Sequence, residues 1–406
     1  MRVVPLALRR DPLDVLASLA DEPGAFLLDV PDPQHPVTLV GCAPAVRLLV
    51  SPDGTSVRSD GAPQPADPLE AIARFVAGAG AGALPFPLGA SVVGFLGYEL
   101  GRWTEPPRDH GGPAGDLPLA GLARYDAVLV HDPRRDQWTL VTRGGGPRRV
   151  PWLGRVAGPA RPAWPTPLAT APLAPGLPRA RYLAAVERIL AYLAAGDVYQ
   201  VNLTQPFTAP LRAPAWALLE RLSRTHPVPH RGYLDLGGAQ LVANSPELFL
   251  RRRGRRVETR PIKGTRPRGD DAAHDAALAA ELVRDPKERA EHVMIVDLER
   301  NDLGRVCVPG SVAVERLFAV ESHPTVHHLV STVTGTLREG VGLAPLLRAT
   351  FPGGSITGAP KVRAMEIIRA LEPWPRGPYA GAFGLFHAGG DDRQGAQGGP
   401  IICCAA

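Results

Sequence analysis

Between residues 144 and 180 the chain reads GGGPRRVPWLGRVAGPARPAWPTPLATAPLAPGLPRA, and no regular element runs through it. Proline fixes φ and removes a backbone donor, so this density breaks both helices and interior strands. Apolar periodicity is also absent. The stretch separates a strand-rich first lobe, residues 1–143, from a second part that begins near 179. Residues 144–178 read as a linker or a long surface excursion, because a loop of this length is unusual inside a compact domain. Glycine and proline, 44 and 45 of 406 residues, favour many turns elsewhere too.

In the first lobe, Phe26–Val30 and Val37–Val40 read as strands split by PDPQHP. Ala43–Val50 fits a short helix or a third strand. Leu69–Val76 reads as a helix, Ala90–Leu100 as a buried strand, and Tyr125–His131 with Gln137–Thr142 as a hairpin. After the break, Leu183, Val186, Ile189, Leu190 and Leu193 form one apolar helix face, and Gly196 ends that helix. Val198–Thr204 alternates as a strand. Short strands follow over 233–260. Helices over 271–283 and 287–303 are split by Pro286. Strands over 312–322 and 329–336 come next, then a glycine-rich turn at 352–360, a helix over 361–371 and a strand over 380–387. The last stretch, AGGDDRQGAQGGPIICCAA from 388 to 406, has no periodic pattern and reads as an aberrant, disordered tail. The fold class expected is α+β, with large antiparallel sheets and flanking helices.

The net charge of +5 is carried by dispersed arginines, apart from short runs at 251–253 and 255–256. No nucleic-acid-binding module pattern accompanies them, so no nucleic-acid partner is expected. No apolar run approaches 18 residues, so no membrane span is expected. Four cysteines without CxxC spacing fit a reducing, cytoplasmic location.

The chain holds three lysines against 42 arginines, yet places Lys263 in the turn-rich segment ETRPIKGTRPR. Arginine stays charged; a lysine amine is able to act as a nucleophile. The plainer reading is a solvated basic loop. Other candidates are equally open when taken singly. Glu247, after Pro246, fits a buried general acid or an ordinary turn carboxylate. Glu291 lies on the inward side of an acidic helix, ERAEHVMIVDLERND, which fits a hard-ion site or a solvated face. His328 fits a core-edge histidine. The turn FPGGSITGAP opens a helix and fits anion binding or simple chain reversal; lysine is missing where a Walker A loop has it.

The order of these segments carries more than any one of them. FLLD, LVGCAP, GFLGYE and YDAVLV are followed by GDVYQVNLT, NSPELFL and PIKGTRPRG. Then come ELVRDPKERAEHVMIVDLERNDLGRV, VHHLVSTVTG, FPGGSITGAPKVRAMEIIRALEP and RGPYAGAFG. This series resembles the component I family of chorismate-utilising enzymes, which includes aminodeoxychorismate, anthranilate, isochorismate and salicylate synthases. The resemblance implies a two-lobed, anthranilate synthase component I-like fold, with the chorismate-binding catalytic domain at 179–387. It implies Lys263, Glu247 and His328 as catalytic residues: nucleophile, general acid, and a hydrogen-bonding group near the leaving hydroxyl. Gly264, Thr265, Tyr379 and Gln200 would contact substrate. Glu291 would bind Mg²⁺. Anthranilate synthases usually carry alanine at the position of Lys263, so the lysine implies the aminodeoxychorismate synthase branch. Ammonia would then come from a separate glutamine amidotransferase subunit. Gln200 stands where salicylate-type enzymes carry a water-activating lysine. In this family two further strands and an acidic helix follow the RGPYAGAFG strand. Their absence here reads as a truncated or frame-shifted end and an incomplete catalytic domain. The alternatives are anthranilate synthase component I, and an inactive chorismate-binding or amidotransferase-docking protein.

Overall fold

Period-two alternation sorts the apolar residues of a seven-stranded antiparallel sheet onto two faces. Its spatial order is Arg2–Leu6, Gln137–Thr142, Ala127–Asp132, Val37–Gly41, Phe26–Val30, His230–Asp235 and Gln240–Ser245. Phe26, Leu28, Leu39, Val128 and Val130 point to one side and Leu27, Val40, Leu129 and Leu140 to the other. These observations come from a computed structural model that describes residues 2–33, 35–78, 91–104, 115–143, 150–158, 164–165, 167–387 and 401–405.

A second antiparallel sheet has eleven strands. From one edge it runs Ile262–Pro267, Val326–Thr336, Arg256–Arg260, Leu248–Arg253, Ile401–Ala405, Ala382–His387, Ser91–Leu96, Ala120–Arg124, Val46–Val50 and Ser56–Arg58. Ala313–Ser322 also pairs with Val326–Thr336. The sheets stack through a dry layer where Phe26, Leu28 and Leu39 meet Val93, Phe95, Phe383 and Leu385. Helices cover both outer faces. Pro12–Leu19 and Ala215–Thr225 pack on the smaller sheet; Pro68–Ala77, Pro286–Gly304 and Leu343–Thr350 pack on the larger. The architecture is therefore helix, sheet, sheet, helix, as the expected α+β class requires.

Local chemistry explains where several helices begin. Asp11, Asp67 and Asp285 each precede a proline, and each carboxylate accepts from backbone N–H groups of the first turn. Proline suits the first turn because its missing N–H has no intrahelical partner there. The same signal marks Pro12–Leu19, a helix that the alternating apolar runs of residues 1–60 concealed.

Several expectations need correction. Residues 144–149, 159–163 and 166 lie outside the described residues, but the rest of the proline-rich stretch is not a plain spacer. Val150, Trp152 and Val156 are buried against the helix at 12–19, and Ala174–Pro175 pairs with Phe207–Thr208. Both sheets take strands from either side of that stretch, so it marks no boundary between sheets. Residues 388–400 and 406 also lie outside the described residues. Ile401–Ala405 is no loose tail: its backbone pairs with Leu248–Arg253 and Ala382–His387 inside the larger sheet. In the segment 198–204 only Gln200–Val201 is strand, because its partner, Gly358–Ala359, is itself two residues long. The arginine run at 251–256 is engaged by acids and carbonyls: Arg251 with Glu258 at 3.2 Å, Arg253 with Asp32, and Arg256 with Glu315 at 2.6 Å.

Candidate active site

The placement of Lys263 begins with a mismatch in strand pairing. Ile262 pairs with Val330 and Thr265 with His328, so three steps on one strand oppose two on the other. The extra residue forms a bulge at Lys263–Gly264, and Gly264 takes a φ of +90°, which a side chain would resist. A bulge re-aims its side chain, and here the Lys263 side chain lines a cavity instead of continuing the alternation of the strand.

A buried histidine holds this bulge. The Lys263 carbonyl can only accept, so the neutral His292 ring keeps its proton on Nδ1, and Nε2 accepts from the Ser331 hydroxyl at 2.6 Å while Ser331 Oγ accepts the Phe318 N–H at 3.2 Å. His292 Nδ1–H donates to the Lys263 carbonyl at 3.2 Å. Burial lowers the His292 pKa and keeps the ring neutral, as this chain of donors requires.

The cavity measures about 510 Å³ and opens to solvent. Glu247, Lys263, Asn202, Ser355, Arg376 and Tyr379 are among its walls. Burial pushes the Glu247 carboxyl up, while the Ser355 hydroxyl, the Lys263 charge and the Ile262 N–H pull it back. The upward effect wins. Arg376 is already engaged by Glu372 at 2.7 and 2.8 Å, so its charge is locally matched. Tyr379 stands 57% exposed at the rim. The helix at 179–194 turns Val186, Ile189 and Leu190 toward this open space; Leu183 and Leu190 are exposed, so the apolar face read from the sequence is only partly covered.

Gln200 and Glu291 join the group by direct contact. Gln200 Nε2 donates to Glu291 Oε1 at 2.9 Å, and that oxygen lies 3.7 Å from Lys263 Nζ. Gln200 is fixed by its pairing with Ala359. Next to it, a Cβ on Gly358 would lie 2.2 Å from the Gln200 carbonyl, so only glycine permits the approach. His328, Thr265 and Gly264 lie further along the strand. His328 Nδ1 and Thr265 Oγ1 are 3.0 Å apart, and burial lowers the His328 pKa. None of the three is among the residues lining the described cavity. Of the candidates read from the sequence, Lys263, Glu247 and Tyr379 line the cavity; Gln200 and Glu291 do not line it but reach Lys263 through the Glu291 carboxylate, and His328, Thr265 and Gly264 lie to one side.

The donor set bears on the Mg²⁺ that the resemblance implies. Among the described residues, no three His, Cys, Asp or Glu side chains converge as a metal cluster. Glu291 nevertheless offers a carboxylate, and the buried Gln200 Oε1 has no hydrogen-bond partner. Mg²⁺ usually keeps several waters and uses one or two carboxylates together with substrate oxygens. Glu291 supplies one such carboxylate, while Gln200 presents its amide nitrogen, not its oxygen, to that carboxylate.

Residues 24–393 match the family described as chorismate binding enzyme. The chain belongs to that family. Among chorismate binding enzymes, it is 43% identical to aminodeoxychorismate synthase component 1 of Salmonella typhimurium over 75% of this chain and 66% of that protein. It is 44% identical to anthranilate synthase component 1 of Thermus thermophilus over 74% of this chain and 66% of that protein. The chain therefore spans about two thirds of the length of these curated relatives. Its fold matches the crystal structure of anthranilate synthase component I from Streptococcus pneumoniae with a TM-score of 0.78 and 27% identity, covering 92% of this chain and 83% of that one.

Sequence reasoning missed Ser355, Asn202 and Arg376 as cavity residues. Ser355 carried a signal in lying within the glycine-rich turn, but nothing local showed that the turn faces Glu247.

Proposed function

We propose that this chorismate binding enzyme aminates chorismate at C4 to give 4-amino-4-deoxychorismate, using ammonia from a separate glutamine amidotransferase. The observation that carries this reading is an amine, Lys263, on the same cavity wall as a carboxyl that burial favours in its acid form, Glu247. Identity does not choose between branches, since relatives of both names match at similar levels. Lys263 does, because it supplies a nucleophile that the anthranilate branch usually lacks.

In the proposed sequence the free amine of Lys263 forms a bond to C2 as the ring double bond shifts and the C4–O bond breaks. Glu247 gives its proton to the departing hydroxyl, which leaves as water. Ammonia then bonds to C4, the double bond shifts back, and the C2–N bond to Lys263 breaks. The Glu247 carboxylate takes up the proton that ammonia loses. The net change is chorismate plus ammonia to aminodeoxychorismate plus water. Glu291 would hold Mg²⁺, which when bound offsets the negative charge of a substrate carboxylate, and Gln200 would contact the substrate beside it. Tyr379 would close the rim over the ring. His328 and Thr265 would act from beyond the described cavity wall, through the strand that carries Lys263.

Purified protein supplied with chorismate, Mg²⁺ and an ammonium salt should form aminodeoxychorismate, resolved from anthranilate by chromatography. Lys263→Ala should lose about 100-fold or more of the rate. Anthranilate as the product would overturn the branch assignment. Full amination by the Lys263→Ala protein would overturn the covalent step.

A further inference from the structure

The glycine-rich turn FPGGSITGAP does more than reverse the chain. Its Ser355 hydroxyl donates to Glu247 Oε1. Ser355 is 5% exposed and lines the cavity beside Glu247 and Lys263. Everything around it restricts its motion. The Ser355 carbonyl accepts from Asn202 Nδ2 at 2.9 Å. The preceding N–H, from Gly354, donates to Glu299 Oε1 at 2.9 Å. A Cβ on Gly354 would lie 2.5 Å from Leu298 Cδ2, so the turn lies directly on the helix at 286–304. Thr357 Oγ1 lies 3.0 Å from the Gly353 carbonyl and 3.2 Å from that of Gly354, closing the turn from within.

We propose that Ser355 is a positioning residue for the Glu247 carboxyl: by donating to Oε1 it holds the transferable proton on Oε2. A serine hydroxyl has one proton to donate. While that proton lies on Oε1, the acid proton of Glu247 resides on the other oxygen, and the carboxyl cannot turn over without breaking the contact. Glu299 and Leu298 act one step further back, by fixing the turn. The helix at 286–304 thus bears on the cavity twice, through Glu291, which lies 3.7 Å from Lys263 Nζ, and through the turn that presents Ser355. The inference rests on Glu247 acting as the acid in the proposed reaction, and it does not depend on which amine product forms.

The experiment compares wild type, Ser355→Ala and Ser355→Thr in chorismate consumption, whatever the product, across pH. Ser355→Ala should lower kcat about tenfold or more and leave KM within about threefold. Its high-pH limb should move upward, because a carboxylate that loses a donor forms less readily. Ser355→Thr, which keeps the hydroxyl, should restore both. An unchanged kcat, an unmoved limb, or a threonine variant as impaired as alanine would overturn the proposal. A second measurement needs no turnover. The infrared carbonyl band of protonated Glu247, assigned by its loss in Glu247→Gln, should titrate at higher pH in Ser355→Ala than in wild type. An equal midpoint would overturn the proposal. Retained amination in Lys263→Ala would remove the covalent step and leave the infrared result to decide on Ser355 alone.

Discussion

Glu299 is 3% exposed beneath the glycine-rich turn, where burial and the neighbouring Asp302 push its carboxyl up to about 8. The Lys361 charge and the Gly354 N–H oppose that rise without cancelling it. An ordinary glutamate titrates near 4.5, so between that pH and about 8 the folded protein holds a proton that the unfolded chain has lost. Stability must then fall as pH rises through this window. Glu299→Gln keeps an uncharged group and should flatten the dependence. Thermal midpoints from about pH 5 to about pH 9 should show wild type losing ground to the variant; parallel curves would mean that Glu299 titrates as a free carboxyl. Lys263 was legible in the sequence because lysine is rare in this chain, and Glu247 because it follows a proline at a strand start. Glu299, His292 and Ser355 were not, since each acts through a contact made across long sequence separations.

The helix at 286–304 shows the same contrast at the scale of an element. Asp285 Oδ1 accepts the N–H groups of Lys287 and Glu288 at 2.9 and 3.1 Å, and Asp285 Oδ2 accepts from Arg266 at 2.7 Å. Arg266 belongs to the strand that carries Lys263. Asp285→Ala should therefore destabilise the protein, chiefly through the lost cap, with the solvent-screened ion pair adding little. Urea midpoints of wild type, Asp285→Ala and Asp285→Asn would check this. Asparagine retains a capping oxygen and should recover most of the loss; equal losses in both variants would assign the effect to the Arg266 pair instead. Asp-Pro steps make such helix starts readable from sequence. The bulge at Lys263–Gly264 was not readable, because it exists only relative to the register of Val326–Thr336.

At the scale of the whole molecule, the two sheets meet with almost no slack. A Cβ on Gly232 would lie 2.5 Å from the Phe383 ring, and Phe383 is fully buried. Gly232→Ala should overpack this layer and destabilise by ~1–3 kcal/mol, read as a lower urea midpoint. An unchanged midpoint would show that the layer can yield. Alternation announced most of the strands, and with them the α+β class. It did not announce which sheet each strand joins, since pairing partners lie far apart in the chain. Ser91–Leu96 has Ala382–His387 as a neighbour, and Phe26–Val30 has His230–Asp235. During synthesis these early strands leave the ribosome with open edges and must wait for partners more than 200 residues behind them. Their exposed backbones are templates for mispairing throughout that delay. Expression of this protein is therefore expected to depend on chaperone supply and growth temperature more than its finished stability alone would indicate.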